Sequence, residues 1–432
     1  MTPLGIDLGS TRSAVAMVDS GGRPVILPNP LGAETTPSVV CFESRRSVLV
    51  GAAAHVAGQS TPDRMVALVK RDLGGSRSHC FDDVEYPPEA VCALILRTLV
   101  RGAVPGPWSG RSVPAVVTVP ACFGPRQREV TRRSCLLAGV RPLALVSEAV
   151  AAALHYGFAS GVCGGTALVY DLGGGVFDGT VLRLGRRIQV LATDGDPGLG
   201  GVDWDRRLMA LLLEQFVARA APDDDPAADE VFMAGLALTA ERVKRALSGF
   251  PVHRVPIRYA GHSVTVTVSR DDFEAATRDL VDRSVVLLRG LLAAAARAGV
   301  SDVDRCLLVG GASRMPMIAA ALSAEFGWRP RLFAPDLGVV KGAALHAHRM
   351  TRLDTEQVTD ADTGGHGTAG GDVRRGSGTG PVRATEPVRA TEPVRATEPV
   401  RATEPVRATE PVRAAGPSPA GGGPARDPIG RP

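Results

Sequence analysis

Aromatic residues are scarce in this chain: three Trp, four Tyr and eleven Phe make up 4% of its 432 residues. A core of ordinary size must then be filled by aliphatic side chains and alanine, which the 44% hydrophobic content supplies. An excess of one charge is missing too. Forty-nine Lys and Arg against 45 Asp and Glu leave +4, too balanced to argue for nucleic acid or an anionic membrane. No apolar run approaches membrane-spanning length, and no signal peptide opens at Met1. The seven cysteines (Cys41, Cys80, Cys92, Cys122, Cys135, Cys163 and Cys306) are odd in number and form no C-x-x-C. Neither a metal site nor a disulfide framework is indicated; buried free thiols in a reducing cytosol are the expectation.

What is present centres on Val169-Tyr170-Asp171-Leu172-Gly173-Gly174-Gly175-Val176-Phe177-Asp178. An apolar run, three glycines and a second apolar run read as strand, tight turn, strand. Glycine permits the positive φ of a short hairpin and lets backbone approach a ligand closely. Three consecutive N–H groups without side chains make a cradle for phosphate oxygens. Asp171, at the lip of the turn, sits where a phosphate-bound Mg²⁺ needs an oxygen ligand, directly or through water. The phrase occurs earlier as Gly5-Ile6-Asp7-Leu8-Gly9-Ser10-Thr11, followed by Ala14-Val15-Ala16-Met17-Val18. One Asp-Leu-Gly is a common hairpin; two copies, each opening a long α/β stretch, point to two related lobes gripping one polyphosphate.

In chain order, short strands are expected at 24–27, 38–42, 115–119, 143–146, 264–268 and 306–309. Helices are expected at 90–100, 125–138, 148–156 (capped by Ser147), 204–220, 236–247, 273–298 and 340–348. Residues 222–229 read as a surface loop, and Met65 to Gly75 as an apolar-to-basic segment. Glu241, Lys244, Arg245 and Ser248 share one helical face by their spacing. Gly310-Gly311-Ala312-Ser313-Arg314 reads as strand, glycine turn, helix, with free amides at the helix start. From about Thr351 the composition changes, and Pro-Val-Arg-Ala-Thr-Glu recurs from Pro381, Pro387, Pro393, Pro399 and Pro405. Too little apolar surface is present to offset ordering entropy, so residues 351–432 are expected to be disordered, either a linker or a partner-binding tail.

With both hairpins, Val117-Thr118-Val119-Pro120-Ala121, Glu148 with Ala151-Ala152-Ala153-Leu154, Leu199-Gly200-Gly201, Glu241 to Arg245 and Gly310 to Pro316 in order, residues 4–350 resemble the ATPase domain of the heat-shock protein 70 (DnaK-type) chaperones. The resemblance implies a two-lobed actin-like ATPase fold with duplicated ribonuclease H-like lobes. Lobe I would be residues 1–160 plus a closing helix near 340–350, and lobe II residues 161–339. It implies ATP or ADP with Mg²⁺ as cofactors, Asp7 and Asp171 holding the metal through water. Gly9, Ser10, Thr11, Gly173, Gly174, Gly175, Gly200 and Gly201 would hold phosphates. Lys70 would position the attacking water, Glu148 orient metal and water, and Asp178 support the site, so Lys70, Glu148, Asp171 and Asp178 form the expected catalytic set. Glu241, Lys244, Arg245, Ser248, Gly310, Gly311, Arg314 and Asp336 would surround adenosine. Such a site suits phosphoryl transfer to water by positioning and charge neutralisation.

Departures from the family pattern are specific. Its Thr after the triple glycine is Val176 here, the proline after its glutamate is Ala149, and its J-domain-docking arginine and asparagine fall on Ala144 and Ser147. Pro120 and Arg128, its relay residues, are kept. After His348 no acidic linker, β-sandwich substrate domain or lid is recognised. The expectation is a slow Mg²⁺-dependent ATPase of the bacterial cytosol, with a possible protein partner or exchange factor and doubtful J-domain coupling. The rivals are a nucleotide-operated interaction switch, a small-molecule kinase and an actin-like filament protein.

Overall fold

The computed structural model describes residues 2–104, 112–185 and 187–362, with the backbone alone for 352–362. The chain divides into Met1–His366 and Gly367–Pro432. The second unit, with all the repeats and the disorder expected of them, lies outside the described residues.

Two mixed sheets are built alike. In the first, Leu4–Asp7 pairs antiparallel with Arg12–Val18 across one hairpin and parallel with Val113–Val119 on its other side. Val140–Ser147 and Pro24–Ile26 complete its edges, and Thr36–Pro37 adds to Arg12–Val18. In the second, Thr166–Leu172 pairs antiparallel with Phe177–Arg183 and parallel with Arg305–Val309, flanked by Gln189–Asp196 and Arg331–Leu332. Each repeated Asp-Leu-Gly phrase thus ends the central strand of its sheet. Central strands buried on both faces read as continuous apolar runs, as Val113–Val119 does, with every residue buried.

The second sheet is covered by the helix Gly201–Ala220, whose Trp204, Leu208, Leu212 and Phe216, spaced four apart, are fully buried. The first is covered by the helix Pro88–Ala103 through Val91, Ile95, Leu96 and Leu99. A third cluster joins the two sheets through the helices Glu148–Ser160 and Gly338–Asp362, using Ala149, Ala151, Ala152, Ala153, Ala343 and Ala347 against Val116, Val169 and Val309. Small side chains are required where these layers approach most closely. A Cβ on Gly342 would lie 1.7 Å from the Ala151 carbonyl oxygen, and one on Gly5 would lie 2.2 Å from the Ala344 nitrogen.

Several expectations are corrected. The helix expected over 273–298 is two, Arg270–Ala276 and Arg278–Arg297, because the backbone leaves helical geometry at Thr277, at φ −123°. The closing helix runs over Gly338–Asp362, so helix occupies residues assigned to the tail. A strand at Val252–Tyr259 went unread because Pro256 interrupts it; among the described residues it pairs only with His262–Ser269. Four of the seven free cysteines are buried, but Cys80 and Cys163 are exposed, since composition alone does not tell which face of a strand or loop a residue takes.

The close packing yields a paired test. Gly342→Ala forces a methyl onto backbone that has no rotamer to yield, and is expected to cost about 1–3 kcal/mol or more. Gly290, inside Arg278–Arg297 with nothing within 4 Å of its Cβ direction, is expected to stabilise by about 0.5–1 kcal/mol on Gly290→Ala. Denaturant midpoints of the two variants should move in opposite directions.

Candidate functional site

The two hairpin turns meet face to face. A Cβ on Gly174 would lie 2.2 Å from Thr11 Oγ1, and one on Gly175 would lie 2.5 Å from Ser10 Cβ. Gly9 is blocked by the Arg12 carbonyl oxygen at 2.0 Å. None of Gly9, Gly173, Gly174 and Gly175 has a positive φ. Of the two reasons expected for the glycines, positive φ is not found; close approach demands Gly9, Gly174 and Gly175, whereas a Cβ on Gly173 would meet only the Val176 carbonyl oxygen at 3.5 Å. The start of the helix Gly201–Ala220 locks onto the second turn. Gly201 N–H donates to the Gly173 carbonyl and Val202 N–H to the Gly174 carbonyl, both at 2.9 Å, and Gly200 N–H donates to Asp203 Oδ2 at 2.8 Å.

Beside this joint stands a set of carboxylates. Asp7 ends its strand and accepts a hydrogen bond from Thr118 Oγ1 at 2.7 Å. Asp171 and Asp178 are direct cross-strand partners, an arrangement that like charges oppose. Asp178 accepts the N–H groups of Ala121 at 3.2 Å and Cys122 at 2.9 Å. Glu148 opens the helix Glu148–Ser160, whose cap is Ser147, with Val150 N–H donating to its Oγ at 3.3 Å. Lys70 comes from the 3₁₀ turn Val69–Asp72, entered through Leu68 at φ 59°, a left-handed conformation costly for a branched residue. Its Nζ donates to Glu148 Oε1 at 2.5 Å, and Lys70 is 3% exposed.

Electrostatics follow from this burial. Burial and the Glu148 charge push Asp7 up to about 6 and Asp178 up to about 7. Asp171 is driven well above the ordinary carboxylate range by burial, then by Glu148, Asp178 and Asp7. For Lys70 burial is the largest influence and works against its charge, but Glu148 and Asp7 together reverse it and raise its pKa. One buried ammonium therefore serves four gathered carboxyl groups.

The residues expected around adenosine fall into separate groups. Lys244 turns inward, 8% exposed, with Nζ 2.8 Å from the Gly201 carbonyl oxygen and 2.8 Å from Asp205 Oδ2. Glu241 and Arg245 pair outside at 2.6 Å, and Ser248 Oγ donates back to the Lys244 carbonyl at 3.2 Å. The single polar face expected over 241–248 is thus divided, because the helix Glu230–Gly249 packs against Gly201–Ala220 on the Lys244 side. Gly310, at φ 81°, lies against the second hairpin, where a Cβ would meet the Leu172 carbonyl oxygen at 2.3 Å. Gly311–Arg314 is a 3₁₀ turn and the helix begins only at Pro316, which corrects the helix expected directly after the glycines. Arg314 pairs with Asp336, both about half exposed. Among the described residues no hydrogen bond or ion pair joins the Glu241–Arg245 pair to the Arg314–Asp336 pair.

Other residues in the cluster carried no signal recognised in the sequence. Thr118 and Asp205 are ordinary strand and helix residues until the fold sets them beside Asp7 and Lys244. Arg71 and Asp203 join across 132 positions, Arg71 Nη2 lying 2.7 Å from Asp203 Oδ2; adjacency to Lys70 and a third-position acid after Gly200 were the available hints. Two apolar pockets, one between Arg278 and Met317 and one around Leu27 and Leu99, share no residue with this cluster.

Two duplicated sheets whose central hairpins close on one polar cluster define an actin-like ATPase fold. A model of the family described as Hsp70 protein matches residues 3–362. The chain belongs to the Hsp70 family, and at family level it is an ATP-binding protein of the chaperone class.

Asp7 gives a pH test. Its pKa is raised in the folded chain from 3.8 to about 6, so the native state binds the extra proton. The stability it contributes is full below pH 4 and is lost as pH rises through 6. Asp7→Asn keeps an oxygen for Thr118 and cannot ionise. Relative to the unsubstituted chain without nucleotide, its thermal midpoint is expected to gain about 2–4 °C between pH 4.5 and 7.5; a constant difference would refute the assignment.

Proposed function

We propose that the chain is a DnaK-type ATP-binding protein of the cytosol that hydrolyses ATP slowly with Mg²⁺, its lobes being residues 1–160 with the closing helix and 161–339. The observation that carries this reading is the buried Lys70–Glu148 pair, set within three further carboxyls beside the joint of two glycine turns. A protein interior holds such a constellation at a cost, which points to chemistry rather than to stability.

The residues fit a divalent cation. Burial first, then the neighbouring carboxyl charges, raises Asp7 and Asp171, and a cation beside the two strand ends would offset the negative charge gathered there. Asp7 and Asp171 would hold it through water. When bound, Mg²⁺ neutralises phosphate charge. The rest falls to the chain. Amides of Gly174 and Gly175 and the hydroxyls of Ser10 and Thr11 bind phosphate oxygens, while the Gly173 N–H closes the turn onto the Val176 carbonyl at 3.1 Å. Lys70 Nζ positions the water and offsets charge on the transferred group, and Glu148 keeps Lys70 in place and orients that water. Asp178, anchored by the Ala121 and Cys122 amides, fixes the floor of the site. Glu241, Arg245, Arg314 and Asp336 are the residues for the nucleoside, and Lys244, held by Asp205, supports the loop at Gly200 and Gly201 by donating to the Gly201 carbonyl.

A second reading is favoured by Val176, which is 7% exposed and offers no hydroxyl beside the glycines. It is a nucleotide-operated switch that binds ATP, hydrolyses little and signals to a protein partner.

Calorimetry with ATP and Mg²⁺, followed by single-turnover hydrolysis, separates the two. Binding with slow turnover that Lys70→Ala lowers at least about 100-fold supports the ATPase; binding without turnover supports the switch; absence of binding defeats both. Val176→Thr is expected to raise turnover about 3–10-fold by restoring one hydrogen bond, and an unchanged rate would remove the hydroxyl from the account.

A further inference from the structure

The triple-glycine turn is pinned from one side. The Gly173 carbonyl accepts from Gly201 N–H and the Gly174 carbonyl from Val202 N–H. The Gly175 carbonyl accepts from Arg71 Nε at 2.6 Å. In a trans peptide the C=O and the following N–H point in opposite directions. Three carbonyls held from behind therefore aim the N–H groups of Gly174, Gly175 and Val176 together to the other side. None of these three amides donates to an acceptor among the described residues. A glycine turn without this restraint is free to flip its peptide planes.

The third restraint differs in kind from the other two. Helix backbone supplies the first pair, whereas a single side chain from a segment about a hundred residues away supplies the last. Arg71 is itself held: its Nη2 donates to Asp203 Oδ2 at 2.7 Å, and Asp203 also accepts Gly200 N–H and, through Oδ1, Arg206 Nη1 at 2.8 Å. Arg71 and Asp203 are each at most 16% exposed at the side chain, where a charge-assisted fork is strong and directional. A lysine presents its donors from a single tetrahedral nitrogen and lacks the planar fork that meets the two acceptors from separate nitrogens. Lys70 and Arg71, neighbours in one 3₁₀ turn, thus point to separate targets: one to the carboxylates, the other to the glycine turn.

We propose that Arg71 is a positioning residue of the phosphate cradle, holding the peptide between Gly175 and Val176 so that the Val176 N–H faces the ligand, with Asp203 holding Arg71. Because Val176 has no hydroxyl, its amide is the polar group that this position has to offer a phosphate oxygen. The proposal rests on the reading of the turn as a phosphate cradle. It adds a determinant from outside the glycine motifs.

The test uses the full chain with Arg71→Ala, Arg71→Lys, Asp203→Asn and the Arg71→Ala/Asp203→Asn pair, thermal midpoints verifying that each folds. With Mg²⁺–ATP as the probe, Arg71→Ala and Arg71→Lys are both expected to weaken binding about tenfold. Asp203→Asn should weaken it less, and the pair should be no worse than Arg71→Ala alone. Arg71→Lys at the unsubstituted affinity would show that charge alone suffices and would overturn the proposal, as would additive losses in the pair. A second measurement needs no nucleotide: with ¹⁵N-valine labelling, the Val176 amide resonance should broaden or split in Arg71→Ala as the freed peptide samples two orientations. An unchanged resonance would also overturn the proposal. Failure of the unsubstituted chain to bind ATP would defeat the proposed function, while the resonance would still decide whether Arg71 holds the peptide.

Discussion

A lysine ammonium shared by four carboxyl groups is the constraint around which this molecule is arranged. Lys70 is buried, and burial works to lower its pKa; Glu148 and Asp7 outweigh it and raise the pKa. The carboxyls are raised in turn by burial and by one another. No local segment can hold such a set. It takes the ends of two central strands, a helix N-terminus and a strained 3₁₀ turn, each anchored in a separate part of the core.

The packing between the sheets serves that arrangement. Alanine-lined helices let the two sheets approach within the reach of short side chains, and Gly5 and Gly342 remove the last methyl groups from the contact. A core with large aromatics at this layer would hold the hairpins further apart, and Ser10 and Thr11 would no longer rest on Gly174 and Gly175.

The glycine turns show how a motif can be right for a different reason. Their spacing marked a cradle, with positive φ and close backbone approach as the expected causes; the structure shows no positive φ there, and atoms within 2–3 Å of where a side chain would begin at Gly9, Gly174 and Gly175. The face at 241–248 shows the converse. Helical spacing places four polar residues together, but spacing cannot tell which of them a neighbouring helix will draw inward, and Lys244 goes to Asp205.

By itself the sequence determined the element types along most of the chain, the duplication of the Asp-Leu-Gly hairpin and membership in the Hsp70 family, because local periodicity and glycine punctuation are short-range properties. It also named Lys70, Glu148, Asp7, Asp171 and Asp178 as one group through the family resemblance. Tertiary structure alone decided which groups touch. Thr118 reaches Asp7 across 111 positions, Lys70 reaches Glu148 across 78, and Arg71 reaches Asp203 across 132. Contacts of that separation depend on how two sheets and their helices pack, and the pKa values of the buried carboxyls follow from the same packing, since desolvation and charge proximity exist only once the chain has closed around them.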